Sequence, residues 1–153
     1  RGKGETMPSQ KEVQEALVKN MRSWQRIEDA SVASTGSVME ETENPIIRLV
    51  MEIIQRDSQM HHRIQEWVAD SLTGKAVSLS PDELAKVWGK IEDHIAIEQK
   101  TVKLAQEALS SIEGSKGMLI QAYLVQYLLD DEEKHNRLLE ALESIKKGSY
   151  PYA

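Results

Sequence analysis

Glu132 and His135 stand three residues apart in the run Tyr127 to Glu140. Leu124, Leu128, Leu138, Leu139 and Leu142 recur through that region with a helical rhythm, so it reads as an amphipathic helix. Residues three apart share a helix face, which presents a carboxylate and an imidazole together. Aimed into a helical bundle, such a pair suits an oxygen- and nitrogen-ligated metal such as iron or manganese. The same phrase occurs earlier in the chain, where Asp57, His61, Arg63 and Glu66 match Asp131, His135, Arg137 and Glu140. Position 58, the counterpart of Glu132, is serine. A second pair of runs precedes these, with Ile27-Glu28-Asp29-Ala30-Ser31-Val32 resembling Ile97-Glu98-Gln99-Lys100-Thr101-Val102. The chain therefore reads as one helical hairpin written twice.

Four helices are needed to position these groups, and the capping signals mark them. Ser9 with Glu12 forms a capping box, and Ser80-Pro81-Asp82-Glu83 combines a cap, an N1 proline and an N3 glutamate. Asn44-Pro45 starts another helix, and Gly114-Ser115-Lys116-Gly117 turns the chain into the last. Helices are expected at 9–42, 45–72, 81–113 and 116–147, and no stretch reads as a strand. Gly36 is expected to weaken the first helix near its end. Thr73-Gly74-Lys75 is expected to end the second, with glycine in the left-handed C-terminal position. The inward stripes read as Val13, Ala16, Leu17, Met21, Trp24, Ile27, Ser31 and Val38 in the first helix. In the second they are Ile47, Val50, Ile54, Met60, His61, Ile64, Trp67 and Val68, and in the third Leu84, Val87, Trp88, Ile91, Ile95, Glu98, Val102 and Leu109.

Register decides which groups can meet. Glu98 lies 16 residues before Gly114 and Glu132 lies 15 after Gly117, so the two come level. Glu28 lies 16 before Asn44, while Ser58 and His61 lie 14 and 17 after it. A competing alignment, matching Trp24–Asp29 to Trp88–Asp93, would set Ser34 in place of Glu28. It leaves Ser34 roughly 6–10 Å off the level of positions 58 to 61, and the first alignment is preferred.

Composition narrows the classes of function. At 153 residues the chain is expected to form one domain with a hydrophobic core. It has no cysteine, which excludes disulfides, thiolate metal sites and thiol catalysis and leaves its four histidines as the nitrogen ligands. A net charge of -6 argues against a nucleic-acid partner. No apolar run reaches the length of a membrane span and no signal peptide is visible, so no membrane partner and a cytoplasmic location are expected. Residues 1–8 read as a flexible arm or expression remnant, 9–148 as the bundle, and 149–153 as a short tail.

The pattern resembles the ferritin-like superfamily, in particular the carboxylate-bridged di-iron bundles of bacterioferritin and rubrerythrin type. The resemblance implies an all-α fold, an antiparallel four-helix bundle built from two repeated hairpins. It implies a metal site of Glu28, His61, Glu98, Glu132 and His135, converging at mid-bundle on one or two iron or manganese ions. Five of the six ligand positions are filled, and Ser58 stands where a second bridging glutamate belongs. Three carboxylates against two dications are a poorer balance, so a single-metal or vacant site is also compatible. Asp57, His62 and His94 are the candidates to compensate, and Asp57 and Asp131 could orient the histidines. The rubredoxin-like cysteine domain of rubrerythrins is absent.

Two functions follow. One is a metal-binding oxidoreductase with ferroxidase or peroxide- and oxygen-scavenging activity, as the resemblance implies. The other is a non-enzymatic bundle keeping the fold for association or simple metal holding, a reading that Ser58 favours. Homo-oligomerisation is expected of this architecture.

Overall fold

The computed structural model describes residues 7–74 and 77–152. Their regular structure is entirely helical: α1 (Gln10–Glu41), α2 (Pro45–Thr73), α3 (Pro81–Ile112) and α4 (Leu119–Lys146). The segments 1–6, 75–76 and 153, which include most of the expected arm and Lys75, lie outside the described residues.

The caps form as local chemistry dictates. Ser9 N–H donates to Glu12 Oε2 at 2.7 Å and Glu12 N–H donates to Ser9 Oγ at 3.2 Å. Those bonds, the backbone one first, hold the Glu12 carboxyl below its usual range. Ser80 and Glu83 repeat the arrangement at 2.9 and 3.2 Å. Asn44 Oδ1 accepts from Ile46 and Ile47 N–H, with Pro45 at the first helical position. Arg48 reaches back across that turn to the carbonyls of Met39 and Thr42, at 2.6 and 3.2 Å, which would otherwise be left open at the end of α1.

Helix α1 runs through Gly36 to Glu41 without a break. Two local expectations need correction. Gly74 has φ −158°, outside the left-handed region, so it caps α2 only through its N–H to Asp70 O at 3.0 Å. Helix α4 starts at Leu119 rather than 116, because Gly117 takes φ 79° and the chain cannot turn helical until after it. At the other end of α4, Gly148 at φ 69° closes the helix. Its N–H bonds Ile145 O and that of Ser149 bonds Ser144 O, which satisfies two terminal carbonyls.

The chain divides into two compact units, Arg1–Val77 and Ser78–Ala153. In the first, α1 packs on α2, and the cross-helix pairs run Arg22–Asp70, Glu28–His61, Ser31–Ser58 and Val32–Gln55. One number rises as its partner falls, so the hairpin is antiparallel. In the second, Trp88 under the Lys146 ammonium, Glu98 with His135 and Thr101 with Glu132 give the same sense for α3 and α4.

The seams of these hairpins are narrow and unusually polar. Met21, Gln25, Glu28 and Thr35 of α1 are buried against Ser58, Gln65 and Ala69 of α2. In the second hairpin Leu84, Trp88, Glu98 and Ala105 of α3 are buried. Among the described residues the buried apolar side chains are Met21, Ala69, Leu84, Trp88 and Ala105. Most of the broad inward stripes are therefore not covered within their hairpins. Trp24, Ile27, Val38, Ile47, Ile54, Met60, Ile64 and Trp67 remain exposed, as do Val87, Ile97, Leu128 and Leu138. A single partner helix buries only one row of positions, and here that row carries the polar groups. No helix among the described residues is long and apolar enough to cross a membrane.

Candidate metal centre

In the second hairpin Glu98, Glu132 and His135 come together, each offering a ligand atom within 4.8 Å of the others. Helix α3 supplies Glu98, and one turn of α4 supplies the other two. His135 Nδ1 lies 3.4 Å from Glu98 Oε2 and 3.4 Å from Glu132 Oε2. Its other nitrogen, Nε2, faces Asp131 Oδ2 at 3.5 Å. That arrangement turns Nδ1 towards the carboxylates and gives the ring an acidic neighbour behind it.

Glu98 is the buried member, with 8% of its surface exposed. Its Oε2 has no hydrogen-bond partner. Its carboxyl is held below the ordinary 4.5, first through a hydrogen bond with the Glu132 side chain. Burial acts in the opposite direction, and the charges of His135 and His94 add to the lowering. These facts fit together chemically. Two ionised carboxylates have no proton to share, so Glu98 Oε2 then needs another partner. A proton between the carboxyls, an N–H from His135 Nδ1 or a cation would each supply one.

The spacing suits a cation. Ligand atoms at about 2.1 Å around a tetrahedral ion lie about 3.4 Å apart, and cis ligands of an octahedron about 3.0 Å. Both separations from His135 Nδ1 match the first figure. Thr101 completes the surroundings, its Oγ1 lying 2.9 Å from Glu132 Oε2 and 2.7 Å from Glu98 O. One hydroxyl proton serves one of these acceptors at a time.

The first hairpin repeats the framework with different chemistry. Glu28, 6% exposed, has Oε1 at 3.3 Å from His61 Nδ1, the counterpart of the Glu98–His135 contact. Ser58 Oγ lies 2.8 Å from Ser31 Oγ, where the second hairpin has Glu132 and Thr101. Gln65 Nε2 also donates to Glu28 Oε1, at 3.4 Å. Here the carboxylate has two donors and the missing glutamate is replaced by a pair of hydroxyls.

Both hairpins thus pair their helices in the register that aligned Glu28 with Glu98. Ser34, the residue favoured by the competing alignment, is exposed. Of the five expected ligands, Glu28 and His61 meet in one hairpin, and Glu98, Glu132 and His135 meet in the other. Asp57 is exposed, and His62 Nδ1 lies 2.9 Å from Asp29 Oδ1. His94 Nε2 lies 2.9 Å from Glu98 Oε1. Three participants were not foreseen as such: Ser31, Thr101 and Gln65. The first two sit three residues after the seam glutamates in both halves, a spacing visible in the repeat. Gln65 lies one turn beyond His61 and has no polar counterpart in the second half, where Leu139 stands.

Comparison with protein-family models, curated proteins and solved structures finds no match for this chain.

Proposed function

We propose that this protein binds a divalent transition metal, iron or manganese, through Glu98, Glu132 and His135. The observation that carries the reading is the buried Glu98 Oε2, unpartnered and 3.4 Å from the inward nitrogen of His135. A buried carboxylate oxygen without a partner forgoes a favourable interaction, and an ion among these three atoms would supply it. Two carboxylates and an imidazole, with no thiolate, are ligands that such metals accept.

The fuller form of the proposal is a ferritin-like four-helix bundle, in which the uncovered stripes of the two hairpins pack on each other. Glu28 with His61 would then be a second, weaker position. The bound metal would supply one-electron chemistry towards oxygen or peroxide. The chain's own groups hold the ion, orient His135 and set the local charge.

A second reading, a bundle that holds metal without turnover, is favoured by the Ser58–Ser31 hydrogen bond. It leaves the first hairpin without a second carboxylate. Anaerobic ferrous titration followed by exposure to oxygen separates the two. We expect at least one equivalent to bind, with Glu98→Ala, Glu132→Ala and His135→Ala each abolishing it. Bound iron that then oxidises no faster than free iron favours simple holding, and absence of saturable binding removes both readings.

A further inference from the structure

Each seam glutamate is reached by a polar side chain that the other hairpin lacks at the matching position, and the two come from different helices. In the first hairpin that group is Gln65 of α2, whose Nε2 donates to Glu28 Oε1 at 3.4 Å. The counterpart of Gln65 in α4 is Leu139, which has nothing to donate. The second hairpin instead carries His94 one turn before Glu98, at the position where the first hairpin has Trp24. His94 Nε2 lies 2.9 Å from Glu98 Oε1. Between the halves, Trp24 with Gln65 is exchanged for His94 with Leu139, and the polar contact to the buried carboxylate is kept.

We infer that His94 is the positioning residue of the metal centre, setting which oxygen of Glu98 faces the ion. The terminal torsion of a glutamate is broad, so an unrestrained carboxylate can offer either oxygen or both. With His94 on Oε1, the oxygen left facing His135 is Oε2, the atom that has no hydrogen-bond partner. Glu98 is thereby a one-oxygen ligand, and its approach is set before any ion arrives. His94 itself stands on the outer side of Glu98 and is half-exposed, so it acts through that carboxylate. This rests on the proposed metal binding at Glu98, Glu132 and His135.

The test is titration of the full chain with cobalt(II) under anaerobic conditions, read by calorimetry and by the visible ligand-field spectrum. Three proteins are compared: the parent, His94→Ala and His94→Gln. Alanine at this half-exposed helical position keeps the fold, which far-ultraviolet circular dichroism checks. Loss of an outer partner of a metal ligand typically weakens binding about 10–100-fold, and that is expected for His94→Ala. Glutamine places an amide N–H near the site of the imidazole Nε2, so His94→Gln should regain most of the affinity and the parent spectrum. Equal affinity of His94→Ala and the parent overturns the inference while the metal site stands. An affinity of His94→Gln as low as that of alanine overturns it too, since a ligating or merely structural histidine is not replaced by an amide. A parent that binds no cobalt removes the metal site and the positioning role together.

Discussion

Ser58 Oγ and Ser31 Oγ lie 2.8 Å apart, at the cross-helix position where Glu132 and Thr101 meet in the second hairpin. The backbone of the first hairpin therefore already presents position 58 as the second presents its ligating glutamate. What differs is side-chain length and charge.

Ser58→Glu should convert the first hairpin into a metal position of its own. Without metal the new carboxylate would share a buried seam with Glu28, and destabilisation of about 1–3 kcal/mol is expected. With metal the loss should be recovered, and titration should show one additional equivalent. Thermal melts with and without metal, run beside the titration, check both halves of this expectation. An unchanged stoichiometry would count against the equivalence of positions 58 and 132.

Acid should act on the metal-free protein through Glu98. Its folded carboxyl is held below its ordinary value, by Glu132 first and by the histidine charges after. A depressed folded value means that the ionised form stabilises the fold. The contribution is fully present above the ordinary, unfolded value of 4.5 and disappears as pH falls through the folded value. Denaturant melts of the parent and of Glu98→Gln should differ most above that range and converge below it. Parallel curves throughout would show that Glu98 contributes nothing through its charge.

Gly36 and Gly89 offer stabilising changes. A Cβ at Gly36 would lie 3.5 Å from Gln55 Nε2, an ordinary contact, and one at Gly89 would meet nothing within 4 Å. Both positions are helical, so Gly36→Ala and Gly89→Ala should each add about 0.5–1 kcal/mol. Calorimetry should show the two gains adding in the double variant, since the sites belong to different hairpins.

Tryptophan fluorescence tests the proposed bundle. Trp24 and Trp67 are 48% and 52% exposed, whereas Trp88 is 8% exposed. If the apolar stripes cover each other, single-tryptophan variants retaining Trp24 or Trp67 should resist acrylamide nearly as well as one retaining Trp88. Quenching several-fold faster at Trp24 and Trp67 would mean that their faces stay open to water.

Much of this organisation was legible because its causes are local. Ser9 with Glu12, Asn44 with Pro45 and Ser80 with Glu83 announce helix starts through groups no more than three residues apart. Register was legible through the repeat, since Glu28 and Glu98 recur at matching distances from their turns. Other features depend on contacts that periodicity does not contain. Trp24 and Gln25 are neighbours, and hydrophobicity favours the tryptophan as the inward residue. The hairpin buries Gln25, which donates to His62 O at 3.2 Å and accepts from Arg22 at 3.0 Å. Gln65 was silent for the same reason: its role exists only because Glu28 faces it across the seam.

The two halves also differ in what keeps them folded when metal is scarce. In the first hairpin the serine hydroxyls pair with each other and Gln65 donates to Glu28, so the seam carboxylate has partners from its own chain, although Gln65 Oε1 has none. The second, with its orphaned Glu98 Oε2, is left to draw part of its stability from the surroundings. Under the metal-binding hypothesis, an ion at one hundred times its dissociation constant would add about 2.7 kcal/mol. Half of the chain would then act as a gauge of metal supply. Limited proteolysis at graded metal concentrations reads this directly, with cuts within 78–152 slowing as metal rises and cuts within 7–74 indifferent to it. Equal protection of both halves would mean that the ion's influence is shared along the whole chain.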